Sequence, residues 1–466
     1  MACHCDEFSR AHVMRQAAAQ AGRGLPKVEK GMPLPAGTGL SRRSFLLRSG
    51  MAAFSVYGAS RLGIDQLRAG VASAQGSSSP VLVSIFLDGG ADALSVLHPV
   101  SGPSSGLYQD FRPSLALGQG EGAAFAPNSA WRWHPNAAPL DDIQRGLPLG
   151  GSPTVGMAVF PTIGYSDPDQ SHFTSRHYWE VGNLDPNLRT GWMGRLLDRI
   201  GTDDNPLQGL SLDGWLSPGL ATASKPVAAI DGTAYDLDAP GVWDDTQVAS
   251  AMFDALADIG DIHAAGPAGG RMAVGRVTQQ ASQVREQLST FGDVTPPPAY
   301  PDHWFGESLA ALAAMLAAGL DIKCAALSGA GGYDTHDNQK DSFGEDLGTT
   351  AQALKAFQQD LEAKGLAERV ITMVWSEFGR RPHENGSGTD HGAAGSAFMF
   401  GKRVRSQVVG GMANLADLND DDNLKHTVDY RGVYSKLVGE WFNDEPGAVI
   451  DQAGWSSPIP VPDLVT

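Results

Sequence analysis

Cysteine is almost missing from this chain, with three in 466 residues. Cys3 and Cys5 stand at the amino-terminal tip, and only Cys324 lies in the body, inside an apolar run. A disulfide framework is thereby excluded for the body, and thiolate-rich metal sites with it. Cys3-His4-Cys5 has the look of a ligand cluster but is short and lacks a second half. Long apolar runs are missing too. The Ala/Leu-rich stretch Leu309 to Leu320 is too short to cross a bilayer, and the apolar stretch after Met51 is interrupted by Arg61 and Asp65. Neither supports a stable membrane span. Positive charge is also scarce. Residues 1–74 hold 10 of the 34 Lys and Arg but only 4 of the 52 Asp and Glu, so 24 basic face 48 acidic residues beyond them, a net charge near −24. That balance argues against nucleic acid or an anionic membrane surface as a partner.

What is present begins with an address. Ser41-Arg42-Arg43-Ser44-Phe45-Leu46 is a twin-arginine pattern, and Ala72-Ser73-Ala74 offers a small-residue cleavage site. Residues 1–74 are expected to be a signal region read by the twin-arginine translocation machinery. The protein would then act in the periplasm, the cell envelope or the medium. Residues 75–466 are expected to form a single domain. With 57 Gly and 29 Pro among 42% hydrophobic residues, it should be globular and rich in loops. Loop insertions are expected around 101–150 and 201–245.

Val81 to Leu87 is a continuous β-branched and apolar run, which reads as a strand buried on both faces. Thr154 to Phe160, Val227 to Ile230, Ile322 to Leu327, Val370 to Trp375 and Ala397 to Phe400 are similar. Helical patterns lie between them at Ser171–Val181, Trp192–Ile200, Thr246–Ile259, Met272–Leu288, Trp304–Ala318, Gly344–Ala363 and Tyr430–Phe442. This alternation predicts an α/β fold, a parallel sheet with helices on both faces.

In such a sheet, ligands bind beyond the carboxyl ends of the strands. The rule selects Asp88, Asp334 with His336, and Glu377, with Asp390 and His391 on the loop beyond. Oxygen and imidazole donors suit a divalent Zn, Mn, Mg or Ca ion. Taken singly, Asp88 could cap a turn, Asp334 could make an Asx-turn and His391 could be a hydrogen-bonded loop residue. Their recurrence at several strand ends favours a polar functional site. Ser171 stands at a helix start, where it is either a capping hydroxyl or a nucleophile whose anionic target meets the free N–H groups. His172 and Arg176 share a helix face and could hold the same anion. Arg380 and Arg381 are anion-binding candidates or arginines of a solvated loop.

At these motifs the chain resembles the bacterial 1501 family of domains of unknown function, from about Arg42 to Phe442. The resemblance rests on Phe86-Leu87-Asp88-Gly89-Gly90-Ala91-Asp92, Ser171-His172-Phe173, Gly332-Tyr333-Asp334-Thr335-His336, Ser376-Glu377-Phe378-Gly379-Arg380, Gly388-Thr389-Asp390-His391-Gly392 and Asp429-Tyr430-Arg431. That family in turn resembles the alkaline-phosphatase and sulfatase superfamily. The resemblance implies a three-layer α/β/α sandwich with a mostly parallel central sheet and a two-metal centre acting on a phosphoryl or sulfuryl group. It also implies a nucleophile at Ser171 and a metal ligand at Asp88. Two departures stand out. Asp334 and His336 are two apart where the superfamily spaces Asp and His by four. Phe378 stands where an imidazole is usual, unless Thr389-Asp390-His391-Gly392 is itself that element and Glu377 an addition. One metal or an oxygen-rich calcium-like site is then as consistent as two zincs. The expected function is an exported metal-dependent hydrolase of small anionic esters. The alternative is a catalytically silent metal-binding envelope protein with a binding or assembly role.

Overall fold

The computed structural model describes residues 79–146, 155–203, 205–230, 299–450 and 457–466, with isolated positions at 56–57, 232 and between 251 and 288. Cys3-His4-Cys5, the twin-arginine segment with its cleavage site, and most of the helices expected at 246–259 and 272–288 lie outside the described residues. The chain groups into two compact units. One comprises residues 78–171, 294–318 and 325–466; the other comprises 172–293 and 319–324 with the first 77 residues.

The first unit is built on strands β1 (Val81–Phe86), β2 (Gly156–Gly164), β3 (Cys324–Ser328, its first residue at the unit boundary), β4 (Val370–Trp375), β5 (Arg380–Glu384), β6 (Thr389–His391), β7 (Gly395–Gly401), β8 (Gln407–Val408) and β9 (Val428–Asp429). The central sheet runs in the order β3-β1-β4-β7-β2-β8, with β9 also on β2. Every residue of β1, β2, β4 and β7 is buried, so both faces of the sheet are covered, as their unbroken apolar runs require. This is the α/β class with a mostly parallel central sheet that the strand–helix alternation predicts.

The alternation misleads at one strand. β1 and β4 are parallel, and β8 and β9 are parallel to β2, but β7 runs antiparallel to both β4 and β2. The chain between β4 and β7 carries the β5–β6 hairpin and no crossover helix, so it re-enters the sheet in the opposite direction. Residues 101–150 also hold more than loop. They include α1 (Pro103–Phe111), the helix Ala138–Gln144 and the strand Trp131–Trp133, which pairs with Leu97–Pro99.

Helices α2 (Trp304–Ala317), α3 (Gln339–Ala363) and α4 (Tyr430–Lys436) fall where the periodicity predicts them, with α4 continuing into one π-turn at Leu437–Trp441. α3 starts five residues before its apolar pattern, at the buried polar residue Gln339. Among the described residues no helix is long and apolar enough to cross a membrane. The second unit contributes the helices His172–Val181 and Trp192–Ile200 and the parallel strands Gly209–Ser211 and Val227–Ala229.

What matters for function is the register of β1 on β4. Phe86 pairs with Trp375, so the loops that follow both strands leave the sheet side by side.

Candidate metal centre

Three loops of the first unit meet beyond the ends of β1, β3 and β4. Glu377 is wholly buried, and its carboxylate accepts from the Gly89 amide at 3.0 Å and the Gly90 amide at 3.1 Å. Ser376 assists: its hydroxyl donates to the Leu87 carbonyl at 2.7 Å and accepts from the Ala91 amide at 2.9 Å. The carboxylate that the sequence offers as a metal ligand thus holds the turn after β1. Asp88, half-buried in that turn, accepts from the Tyr333 amide at 2.8 Å through its carbonyl. The contact explains Gly89. A Cβ there would lie 2.2 Å from the Asp334 nitrogen, and its φ of +117° suits only glycine. Gly388 presses from the hairpin on the loop after β3, where a Cβ would stand 2.2 Å from the His336 carbonyl carbon.

Those close approaches bring three ligand atoms together. His336 Nε2 lies 3.0 Å from His391 Nε2 and 3.0 Å from Asp334 Oδ1, and His391 Nε2 lies 3.1 Å from the same oxygen. The opposite edge of each ring faces an acceptor. His391 Nδ1 points to the Gln170 carbonyl at 2.9 Å and His336 Nδ1 to Asp390 Oδ1 at 3.3 Å. An Nδ1–H donated there leaves each Nε2 as a lone pair, which is how carboxylates and carbonyls behind a histidine prepare it for metal. Two lone pairs and a carboxylate oxygen in mutual contact repel unless a cation or protons sit among them. Edges of this length suit three donors sharing one ion at about 2.0–2.2 Å. The residues present therefore fit a divalent metal.

Asp390 supports this triangle from behind. Desolvation pushes its carboxyl up, but hydrogen bonds from Asn385 and His336 outweigh it and hold the group below its ordinary value. Phe378 packs its ring 4.8 Å from that of His391. Arg380 overturns the picture of a solvated loop. Its side chain is fully buried and donates to the carbonyls of Gly89, Gly90, Tyr333 and Thr389 and to Asp334 Oδ1. These bonds direct the guanidinium into the protein, toward the loops that carry the ligands.

Ser171 lies one peptide bond from the carbonyl that orients His391, since that carbonyl belongs to Gln170. Gln170 has a φ of +59°, uncommon for a side chain of its kind, and the Ser171 amide donates to Asp169 Oδ1 at 3.0 Å. Strained backbone beside a polar cluster is a frequent mark of function. His172 opens the following helix and is buried, in the second unit. Arg176 pairs with Glu180 one turn along that helix, at 2.9 Å. Arg381 donates to the Asp421 carbonyl.

Residues outside the strand-end acids and histidines brace the centre. Gln339 donates to Asp92 Oδ2 at 2.7 Å and accepts from the Thr389 hydroxyl at 2.6 Å, joining α3 to two of the loops. Asp92 had been visible in the Gly-Gly-Ala-Asp motif, but nothing in the spacing pointed to its partner Arg112.

The sequence profile of a family described as "Protein of unknown function (DUF1501)" matches residues 143–452. The chain belongs to this family. The family match includes every ligand of the triangle, whereas Asp88 and Asp92 lie ahead of it. Among curated proteins there is no match. Among solved structures, the chain is similar to the soluble domain of lipooligosaccharide phosphoethanolamine transferase A from Neisseria meningitidis, at 9% identity over 79% of this chain and 91% of that one, with a TM-score of 0.34. It is similar to the PsFucS1 sulfatase from Pseudoalteromonas sp. at 10% identity over 84% and 75%, with a TM-score of 0.34. A third is Ps i-CgsB in complex with k-i-k-neocarrahexaose, at 10% identity over 81% and 75%, with a TM-score of 0.35.

Proposed function

We propose that this protein is an exported, metal-dependent hydrolase of phosphate or sulfate esters. The observation that supports it is the triangle of Asp334 Oδ1, His336 Nε2 and His391 Nε2, with edges of 3.0–3.1 Å and both rings pinned from behind. Asp334, His336 and His391 would hold the ion, with Asp88 and Asp390 nearby. A bound Zn, Mn, Mg or Ca ion would supply positive charge for the oxygens of a transferred phosphoryl or sulfuryl group. Ser171 supplies the nucleophile. Its oxygen forms a bond to phosphorus or sulfur as the ester bond breaks, and the departing alkoxide leaves as the alcohol with the serine proton. Water then releases phosphate or sulfate and restores the hydroxyl.

Elemental analysis of the purified protein is expected to find a divalent metal. Chelation should lower the melting temperature and metal should restore it, by mass action. Chromogenic phosphate and sulfate esters should be turned over in proportion to the metal restored. No bound metal, together with no response of stability to added ions, would end the metal reading. Phe378 favours the second reading, an envelope protein that keeps its metal without turnover. Metal without activity on either ester is the outcome that selects it.

Export is proposed on the Arg42-Arg43 pattern and the cleavage site that follows. Replacing both arginines with lysine is expected to hold the precursor in the cytoplasm. Normal processing of that double variant, seen by fractionation and blotting, would refute the assignment.

A further inference from the structure

We propose that the Arg380 guanidinium is a built-in second cation, so that the centre takes one divalent ion where the superfamily resemblance implies two. The inference rests on the metal reading above and goes beyond it. Nη2 of Arg380 carries two hydrogens, yet three oxygens converge on it: the Gly89 carbonyl, the Tyr333 carbonyl at 3.0 Å and Asp334 Oδ1 at 2.5 Å. Carbonyl and carboxylate oxygens gathered from separate loops around one point are the donor set of a hard cation. Nε donates to the Gly90 carbonyl at 2.9 Å and Nη1 to that of Thr389 at 3.0 Å, with His336 Nε2 at 3.4 Å from Nη1.

Asp334 Oδ1 therefore faces the ligand triangle on one side and the guanidinium on the other. Another carboxylate of the set, Glu377, has both oxygens accepting backbone amides. A second divalent ion on that side of Asp334 would have to take the space that the buried guanidinium already fills among these oxygens. Arg380 is fully buried, so it acts through Asp334 and His336 rather than by touching substrate. It is a positioning residue. Its charge offsets the carboxylate, and its N–H groups fix the oxygen on which the triangle depends.

The test is a metal count on the full chain. Wild type, Arg380→Lys and Arg380→Ala are stripped, reloaded with excess zinc or manganese, passed through a desalting column and analysed for metal per chain, with circular dichroism confirming the fold. Wild type is expected to hold one equivalent. Arg380→Lys keeps the charge and should also hold one. Arg380→Ala opens the oxygen-lined position and should hold two. Two equivalents in wild type or in Arg380→Lys would overturn the proposal, as would a natively folded Arg380→Ala that still holds one. If Arg380→Ala does not fold, the counts for wild type and the lysine variant decide. No metal in wild type would remove the metal reading itself, and this inference with it.

Discussion

Ser171→Ala is expected to lower turnover of phosphate or sulfate esters by on the order of 10³-fold or more, because a covalent route cannot run without its nucleophile. Metal content should stay at the wild-type value, since the ligand atoms come from Asp334, His336 and His391. Stability should change little. A hydroxyl lost from a helix start costs about 0.5–2 kcal/mol. The combination of lost turnover, kept metal and small destabilisation separates a nucleophile from a cap. Steady-state rates on the chromogenic esters, run beside thermal melts, read both. If the alanine variant turns over at the wild-type rate, Ser171 is a capping residue and another group attacks. The Gln170 carbonyl belongs to the same segment. It accepts from His391 Nδ1, so the backbone that presents Ser171 also orients a ligand. The alanine variant keeps that carbonyl, and therefore tests the hydroxyl alone.

The strands were legible because each is an apolar run that a fully covered sheet demands, and all six expected runs begin within two residues of the observed strands. The direction of β7 was not, because direction follows from what lies between β4 and β7, and a hairpin of polar residues has no strong period. Asp334, His336 and His391, which the strand-end rule selects, lie together in the structure. Glu377 satisfies the same rule with another role, since only the three-dimensional register brings the Gly89 and Gly90 amides onto its carboxylate. The sequence likewise gave no sign that Arg380 is buried. Burial of an arginine depends on carbonyls from residues as distant as Gly89 and Tyr333, and carbonyls have no sequence signature.

Breaking the Asp92–Arg112 pair is expected to be the most destabilising single change outside the hydrophobic core. Both side chains are fully buried. Arg112 grips both Asp92 oxygens, the Nη2–Oδ1 bond being 3.0 Å, and also donates to the carbonyls of Pro382 and Arg381 at 2.7 and 2.9 Å. The pair thus ties the turn after β1 to the hairpin that carries His391. Asp92→Ala leaves a guanidinium uncompensated in the interior, which costs about 3–5 kcal/mol, and Arg112→Met should cost a similar amount. The double variant should lose less than the sum, because neither charge is then stranded. Acid should reproduce part of the effect. Desolvation pushes the Asp92 carboxyl up, but the Arg112 guanidinium, the Ser95 hydroxyl and the Leu94 amide outweigh it and hold it below its ordinary value. A depressed carboxyl contributes its full stability above the unfolded value of about 3.9 and loses it as pH falls through the folded value. Urea denaturation from pH 6 to pH 2 should therefore show a wild-type decline below about pH 4 that is shallower in Asp92→Ala. Because Gln339 also donates to Asp92, the variant should bind metal more weakly although no ligand has changed, by about 10- to 100-fold as for other groups behind a metal site. An Asp92→Ala protein with wild-type stability and metal affinity would mean that the pair neither holds the fold nor positions the hairpin.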